Sequence, residues 1–83
     1  MTRLTIFIDA NRYASAKELH QALKLMLDLP DYYGCNADAL YDCLSERKGC
    51  TVNMRILSAG EGETADALRK CIRVIEDLDG EVR

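Results

Sequence analysis

Residues 30–45, PDYYGCNADALYDCLS, hold both a boundary between helices and the most unusual charge pattern of the 83-residue chain. Leu29-Pro30 closes whatever helix precedes it, because the residue before a proline is pushed out of the helical region. Pro30–Cys35 then reads as a turn, with Gly34 available for a positive φ. Asn36 is placed to cap a short helix running to about Leu44. Leu40 and Leu44 form its apolar stripe, helped by Ala37 or Cys43. Asp38 falls in the first turn, where the helix dipole favours an anion. Asp42 lies one turn further on the same face, and like charges so spaced destabilise a helix by about 0.2–0.5 kcal/mol. Tyr41 stands between the two acids, and Tyr32 and Tyr33 lead into them. Stability alone would place a lysine at one of those positions.

Working outward, Leu4–Ile8 is a short apolar, partly β-branched run, consistent with a strand buried on both faces. Ser15 and Glu18 make a capping-box pattern at the start of a helix whose apolar positions are Leu19, Ala22/Leu23 and Met26/Leu27. Past the quoted stretch, Ser45–Cys50 is a polar loop, and its basic pair, Arg47 and Lys48, reads as a solvated turn. Thr51–Leu57 alternates, with Val52, Met54 and Ile56 on one side and Asn53 and Arg55 on the other, as a half-buried strand does. Thr64 is placed to cap a last helix with the stripe Ala65, Leu68, Cys71/Ile72 and Ile75, and Gly80 to occupy its left-handed terminal position. Glu81–Arg83 offer at most the beginning of a third strand. The order β–α–α–β–α has crossovers long enough for parallel strands covered by helices.

Eighty-three residues, 48% hydrophobic and 30% charged, describe one folded domain over 1–83 rather than a disordered chain. Such a chain buries only about 60–65% of its unfolded surface, so its stability margin is small. No apolar run approaches the roughly 18 residues of a membrane span, and the amino-terminal stretch reads as a strand rather than a secretory signal. A net charge of −3 and a pI near 5.0 argue against direct nucleic-acid binding, which calls for a clustered basic face. A charge-guided partner would be basic. Four cysteines, separated by 7, 6 and 20 residues, match no common zinc spacing. Reduced thiols in a cytoplasmic protein are the expectation, with Cys71 a small core residue.

Few residues invite chemistry. The Ser58–Glu63 loop has two glycines where phosphate loops occur, but Glu61 and Glu63 would repel a pyrophosphate, so it reads as a flexible turn. His20 has no nucleophile or acid at motif spacing and reads as structural. Asp38 and Asp42 admit three readings beyond a solvated face. They could divide acid and base roles, but an exposed helix lacks the pocket needed to separate their pKa values. They could bridge a divalent cation, but no motif supplies the further oxygens. Or they form an acidic knob, flanked by tyrosines, that fits a basic cleft on another protein. No enzymatic activity, metal or cofactor is expected.

The segments LHQALK (19–24), LPDYYG (29–34) and NADALYDCL (36–44) closely resemble the barstar family of intracellular ribonuclease inhibitors. The close resemblance covers about a third of the chain, and the order of elements agrees over most of the rest. It implies an α/β fold with a small three-stranded parallel sheet packed against helices, the last strand being short or truncated here. It also implies an antitoxin-like activity: inhibition of a small, basic, secreted ribonuclease of the barnase type, held inactive inside the producing cell. On this resemblance Asp42 enters the nuclease active site in place of a substrate phosphate. Asp38 pairs with further basic groups, and Tyr32 packs on the catalytic histidine. Asn36 and Ala37 touch the guanine-specificity region, and Ser45 adds a contact at the helix end. Tyr33 and Tyr41 complete the aromatic surround, and Glu76 is the candidate for a family carboxylate on the last helix. Clustered negative charge would steer the inhibitor onto a cationic active site; the barnase–barstar pair is itself the reference case for this effect. The alternative is a barstar-like interaction module whose target is not a ribonuclease. Tyr41 departs from the family's common tryptophan, Ala37 from a leucine, and Cys35 from a polar or acidic residue.

Overall fold

The computed structural model describes residues 2–47 and 49–83. Strand β1 (Thr2–Asp9) leads through a 3-10 turn (Ala10–Arg12) to helix α1 (Ala16–Met26). Helix α2 (Ala37–Ser45), strand β2 (Cys50–Ser58) and helix α3 (Gly62–Asp77) follow. β1 and β2 pair in parallel, Thr2 opposite Cys50 through Ile8 opposite Ile56, with an irregularity before Asp9 meets Ser58. No helix among the described residues is long and apolar enough to cross a membrane.

Instead of a full third strand, the described residues show a two-stranded sheet and one parallel bridge, Val82 to Met54. Met54 donates its N–H to Glu81 O at 2.7 Å and accepts from Arg83 N at 2.9 Å, while Ile56 N–H reaches Arg83 O at 2.6 Å. β2 therefore lies between β1 and this terminal segment.

Strand β1 is not buried on both faces. Ile6 and Ile8 are buried but Phe7 is 57% exposed, and on β2 Val52 and Met54 are buried while Leu57 is 68% exposed. The three helices contribute Leu19, Leu23, Leu40, Leu44, Leu68 and Ile75 to one cluster with the inward strand residues. Among the described residues no helix covers the opposite face, so β1 alternates in burial despite its apolar sequence.

The helix ends show how local signals act. Ser15 Oγ accepts from Glu18 N at 3.2 Å, as the capping box requires, but the Glu18 carboxylate reaches back to Ala14 N at 3.0 Å rather than to the cap residue itself. α1 stops at Met26, before Pro30 can act, because Asp28 adopts a left-handed φ of 51°. Leu29 N–H then returns to Lys24 O at 2.9 Å, closing a Schellman turn. α3 ends the same way, with Asp79 (φ 66°) as the left-handed residue and Gly80 N–H on Ile75 O at 2.9 Å. Gly80 is thus one position beyond the expected site. Its missing Cβ serves packing, since a Cβ there would overlap the carbonyl oxygen of Val52 and the Cγ2 of Ile75. Thr64 is not the cap of α3. Glu61 holds that position without a side-chain bond, and buried Thr64 donates instead to Tyr13 O at 3.2 Å. The inward face of α3 is accordingly rotated, with Ala67 and Val74 buried and Ala65 and Ile72 only half-buried.

Arg47 is no solvated turn residue. Its guanidinium donates to the carbonyls of Leu27 and Asp28, left over at the end of α1. Lys48, the other half of that basic pair, lies outside the described residues. Arg47→Ala is expected to lower stability by about 1–3 kcal/mol, because the part-buried Leu27 carbonyl and the exposed Asp28 carbonyl both lose their donor. Arg47→Lys should recover only part of it, since an ammonium lacks the two-pronged geometry. Urea denaturation of the three proteins checks this, and equal midpoints would exclude it.

Candidate partner-binding surface

The surface is built on the connection from α1 to α2. Tyr33 N–H bonds Pro30 O at 3.0 Å, turning the chain, and the Tyr33 ring enters the core at 6% exposure. There its hydroxyl lies 2.6 Å from Nδ1 of His20, with ring centroids 5.9 Å apart and planes tilted by 55°. Tyr33 therefore belongs to the anchor of the loop and not to the exposed contact surface expected of it. An apolar ring with one buried polar partner is more favourable inside than out. With Tyr33 turned in, its neighbour Tyr32 turns out and is 76% exposed.

Cys35, rather than Gly34, takes the left-handed conformation, φ 54°. It brings Asn36 to the cap of α2, where Oδ1 accepts from Ala39 N at 2.7 Å and Nδ2 donates to Gly34 O at 3.2 Å. Both ends of the Asn36 amide thus hold the loop. With Leu40, Cys43 and Leu44 inward, α2 presents Asp38, Tyr41, Asp42 and Ser45 outward. Ala37 is half-buried against the core, and Ser45 Oγ folds back to donate to Asp42 O at 3.1 Å. Tyr41 is 43% exposed. Among the described residues the ion pairs are Arg12–Asp9, Lys24–Asp31, Arg69–Asp66 and Arg83–Glu81, and none engages Asp38 or Asp42. Both carboxylates face solvent without a cation among the described residues.

Between α2 and α3 runs an open groove of about 1010 Å³, with Asp38 and Tyr41 on one wall and Lys70, Arg73 and Asp77 on the other. Glu76 is exposed but is not among the groove's lining residues, whereas Asp77 is. The helical period decides this, because Lys70, Arg73 and Asp77 follow at intervals of three and four while Glu76 falls on the flank. Sequence reading overlooked Lys70 and Arg73, although that spacing was visible once α3 had been placed. Among the described residues no cluster of three or more His, Cys, Asp or Glu is arranged to hold a metal ion.

Burial keeps the His20 imidazole below its ordinary pKa and pushes the Tyr33 hydroxyl far up; the Cys71 thiol is raised to about 12. His20 and Tyr33 are thus a neutral pair at pH 7. Because the folded state resists protonating His20, the unfolded chain binds the extra proton first. The associated stability is complete above the unfolded pKa of about 6.5 and is lost as pH falls below it. Urea denaturation between about pH 5 and pH 7.5 should give a steeper loss on acidification for the wild type than for His20→Gln. Parallel curves would rule this out.

The sequence profile of the family described as Barstar (barnase inhibitor) matches residues 3–83. The Bacillus subtilis (strain 168) protein named "Putative ribonuclease inhibitor YrdF" is 52% identical over 40 residues. That segment is 48% of this chain and 44% of the relative, so the match spans less than half the length of either.

Proposed function

The chain belongs to the barstar family, the match leaving out only its first two residues, and we propose that it is a protein inhibitor of a small, basic, secreted ribonuclease of the barnase type. One barstar-like domain would act without catalysis of its own, in the cytoplasm of the cell that makes the enzyme, with the terminal bridge at Val82 as the start of the family's third strand. The observation that carries the reading is the pair Asp38 and Asp42, exposed on α2 with no cation among the described residues bound to either. Two unneutralised carboxylates one turn apart are unfavourable in the free protein and favourable only when a cationic surface covers them.

In the complex Asp42 takes the place of a substrate phosphate among the enzyme's arginines and catalytic histidine. Asp38 meets further basic groups, and exposed Tyr32 lies on the histidine. Asn36 acts by holding the loop in shape, with Ala37 close to the guanine-specificity region. Tyr41 and Ser45 border the contact. The printed name of the relative, a ribonuclease inhibitor, supports the same target class.

The direct test mixes the purified protein with a barnase-type ribonuclease and follows RNA cleavage, with Asp42→Ala as control. Stoichiometric loss of cleavage, relieved by the substitution, is the expected result. Undiminished cleavage at excess protein would remove that enzyme as the target and favour an interaction module of the same fold. Co-purification of a basic partner from the native cell then identifies its target.

A further inference from the structure

We propose that the α2–α3 groove is a second, oppositely charged subsite, in which Lys70 and Arg73 receive a carboxylate of the partner protein beside the cationic cleft that Asp38 and Asp42 engage. The proposal rests on the inhibitor reading above and concerns what the target must carry in addition to a basic active site.

Lys70 and Arg73 are three residues apart on α3 and share its exposed face toward the groove. Arg69, the third cation of that wall, is already paired with Asp66. Lys70 and Arg73 make no ion pair among the described residues, nor does Asp38 on the facing wall. Opposite charges therefore border one groove without closing it. Short side chains, Ala37 and Ala67 among them, line the groove together with the larger Tyr41.

A ligand that matches both walls must present a cation next to an anion. A nucleic-acid backbone presents only anions, and Asp38, Glu63 and Asp77 around the groove would repel it. A protein segment meets the requirement: a loop with an Asp or Glu bordering a cleft rich in Arg and Lys. Tyr41, partly exposed at the edge, offers such a segment an aromatic face.

The test exploits a conflict of sign. Replacing both cations, Lys70→Glu with Arg73→Glu, takes the net charge from −3 to −7. If only overall attraction to a basic enzyme mattered, this variant would associate faster and bind as well or better. If the cations hold a carboxylate, it binds about tenfold or more weakly, chiefly through faster dissociation. The measurement is inhibition of a barnase-type ribonuclease, with association and dissociation followed at low and moderate salt. Thermal denaturation of each variant checks the fold. The pair Lys70→Gln with Arg73→Gln, which adds no repulsion, should weaken binding in the same direction by a smaller factor. Unchanged or tighter binding of both pairs, while Asp42→Ala still weakens it, overturns the subsite and leaves the inhibitor reading intact. A wild-type protein that leaves RNA cleavage undiminished at excess would instead bring down the inhibitor reading, and the subsite with it. If sedimentation finds a dimer of the free chain that the glutamate pair dissociates, the groove belongs to a second copy, and the proposal fails.

Discussion

Asp42→Ala is expected to weaken inhibition of the target ribonuclease by about 3–5 kcal/mol, roughly two to three and a half orders of magnitude in Kd. The size follows from what the substitution leaves behind. A carboxylate seated among arginines and a histidine neutralises charges that the complex has taken out of water, and deleting it strands them. The same change should leave the free protein intact or slightly more stable. Asp42 is exposed, has no ion-pair partner among the described residues, and lies in the last turn of α2, where the dipole disfavours an anion. Removing it relieves the repulsion with Asp38 and substitutes a better helix former, together a gain of about 0.5–1 kcal/mol. A collapse in affinity with a small rise in Tm is the signature of a residue retained for binding. Inhibition titrations and thermal melts of one preparation read both quantities. A variant that inhibits as well as the wild type, or one that loses affinity only because it has unfolded, contradicts the assignment.

Gly80→Ala should lower stability by about 3 kcal/mol. The added Cβ would run into the Val52 carbonyl oxygen and the Ile75 Cγ2. The first is backbone of the middle strand and cannot swing aside as a flexible side chain would. The chain after α3 must therefore lift away from β2, and with it go the three backbone hydrogen bonds that join 81–83 to Met54 and Ile56. A domain of this size has a total stability of about 4–12 kcal/mol, so the loss is a large share of the whole. Asp79→Gly is the contrasting change. Asp79 holds the left-handed φ of 66°, where glycine has no steric penalty, so that substitution should be neutral or mildly stabilising. Chemical denaturation of both variants separates the two positions. If Gly80→Ala melts with the wild type, the close approach to β2 does not exist in solution.

The legible part of this fold was set by contacts within a few residues. Ser15 and Asn36 act as caps because each needs only a backbone N–H three positions ahead, at 3.2 and 2.7 Å. The alternation of β2 and the face of α2 that carries Asp38 and Asp42 follow from strand and helix periodicity in the same way. The parallel pairing followed from the length of the crossover. What misled was any residue whose state depends on a distant part of the chain. An apolar β1 looked fully buried, but the face holding Phe7 stays bare because every helix packs on the other side. Thr64 looked like a cap and instead bonds the Tyr13 carbonyl, 51 positions earlier. Arg47 looked solvated and binds Leu27, 20 positions away.

At the candidate surface the division is the same. Sequence alone established the family resemblance, the two acids on one face of a short helix, and the loop with two tyrosines that introduces them. Adjacent tyrosines are chemically identical in sequence, and only the packing of α1 against the loop could tell them apart. His20, 13 residues from Tyr33, draws that ring inward and leaves Tyr32 outside. In the same way α3 was recognisable as a helix, but its rotation, and with it the meeting of Lys70 and Arg73 with Asp38 across one groove, was decided by tertiary packing. The short-range rules act through neighbours along the chain, whereas burial and charge opposition require surfaces that exist only after distant segments have met.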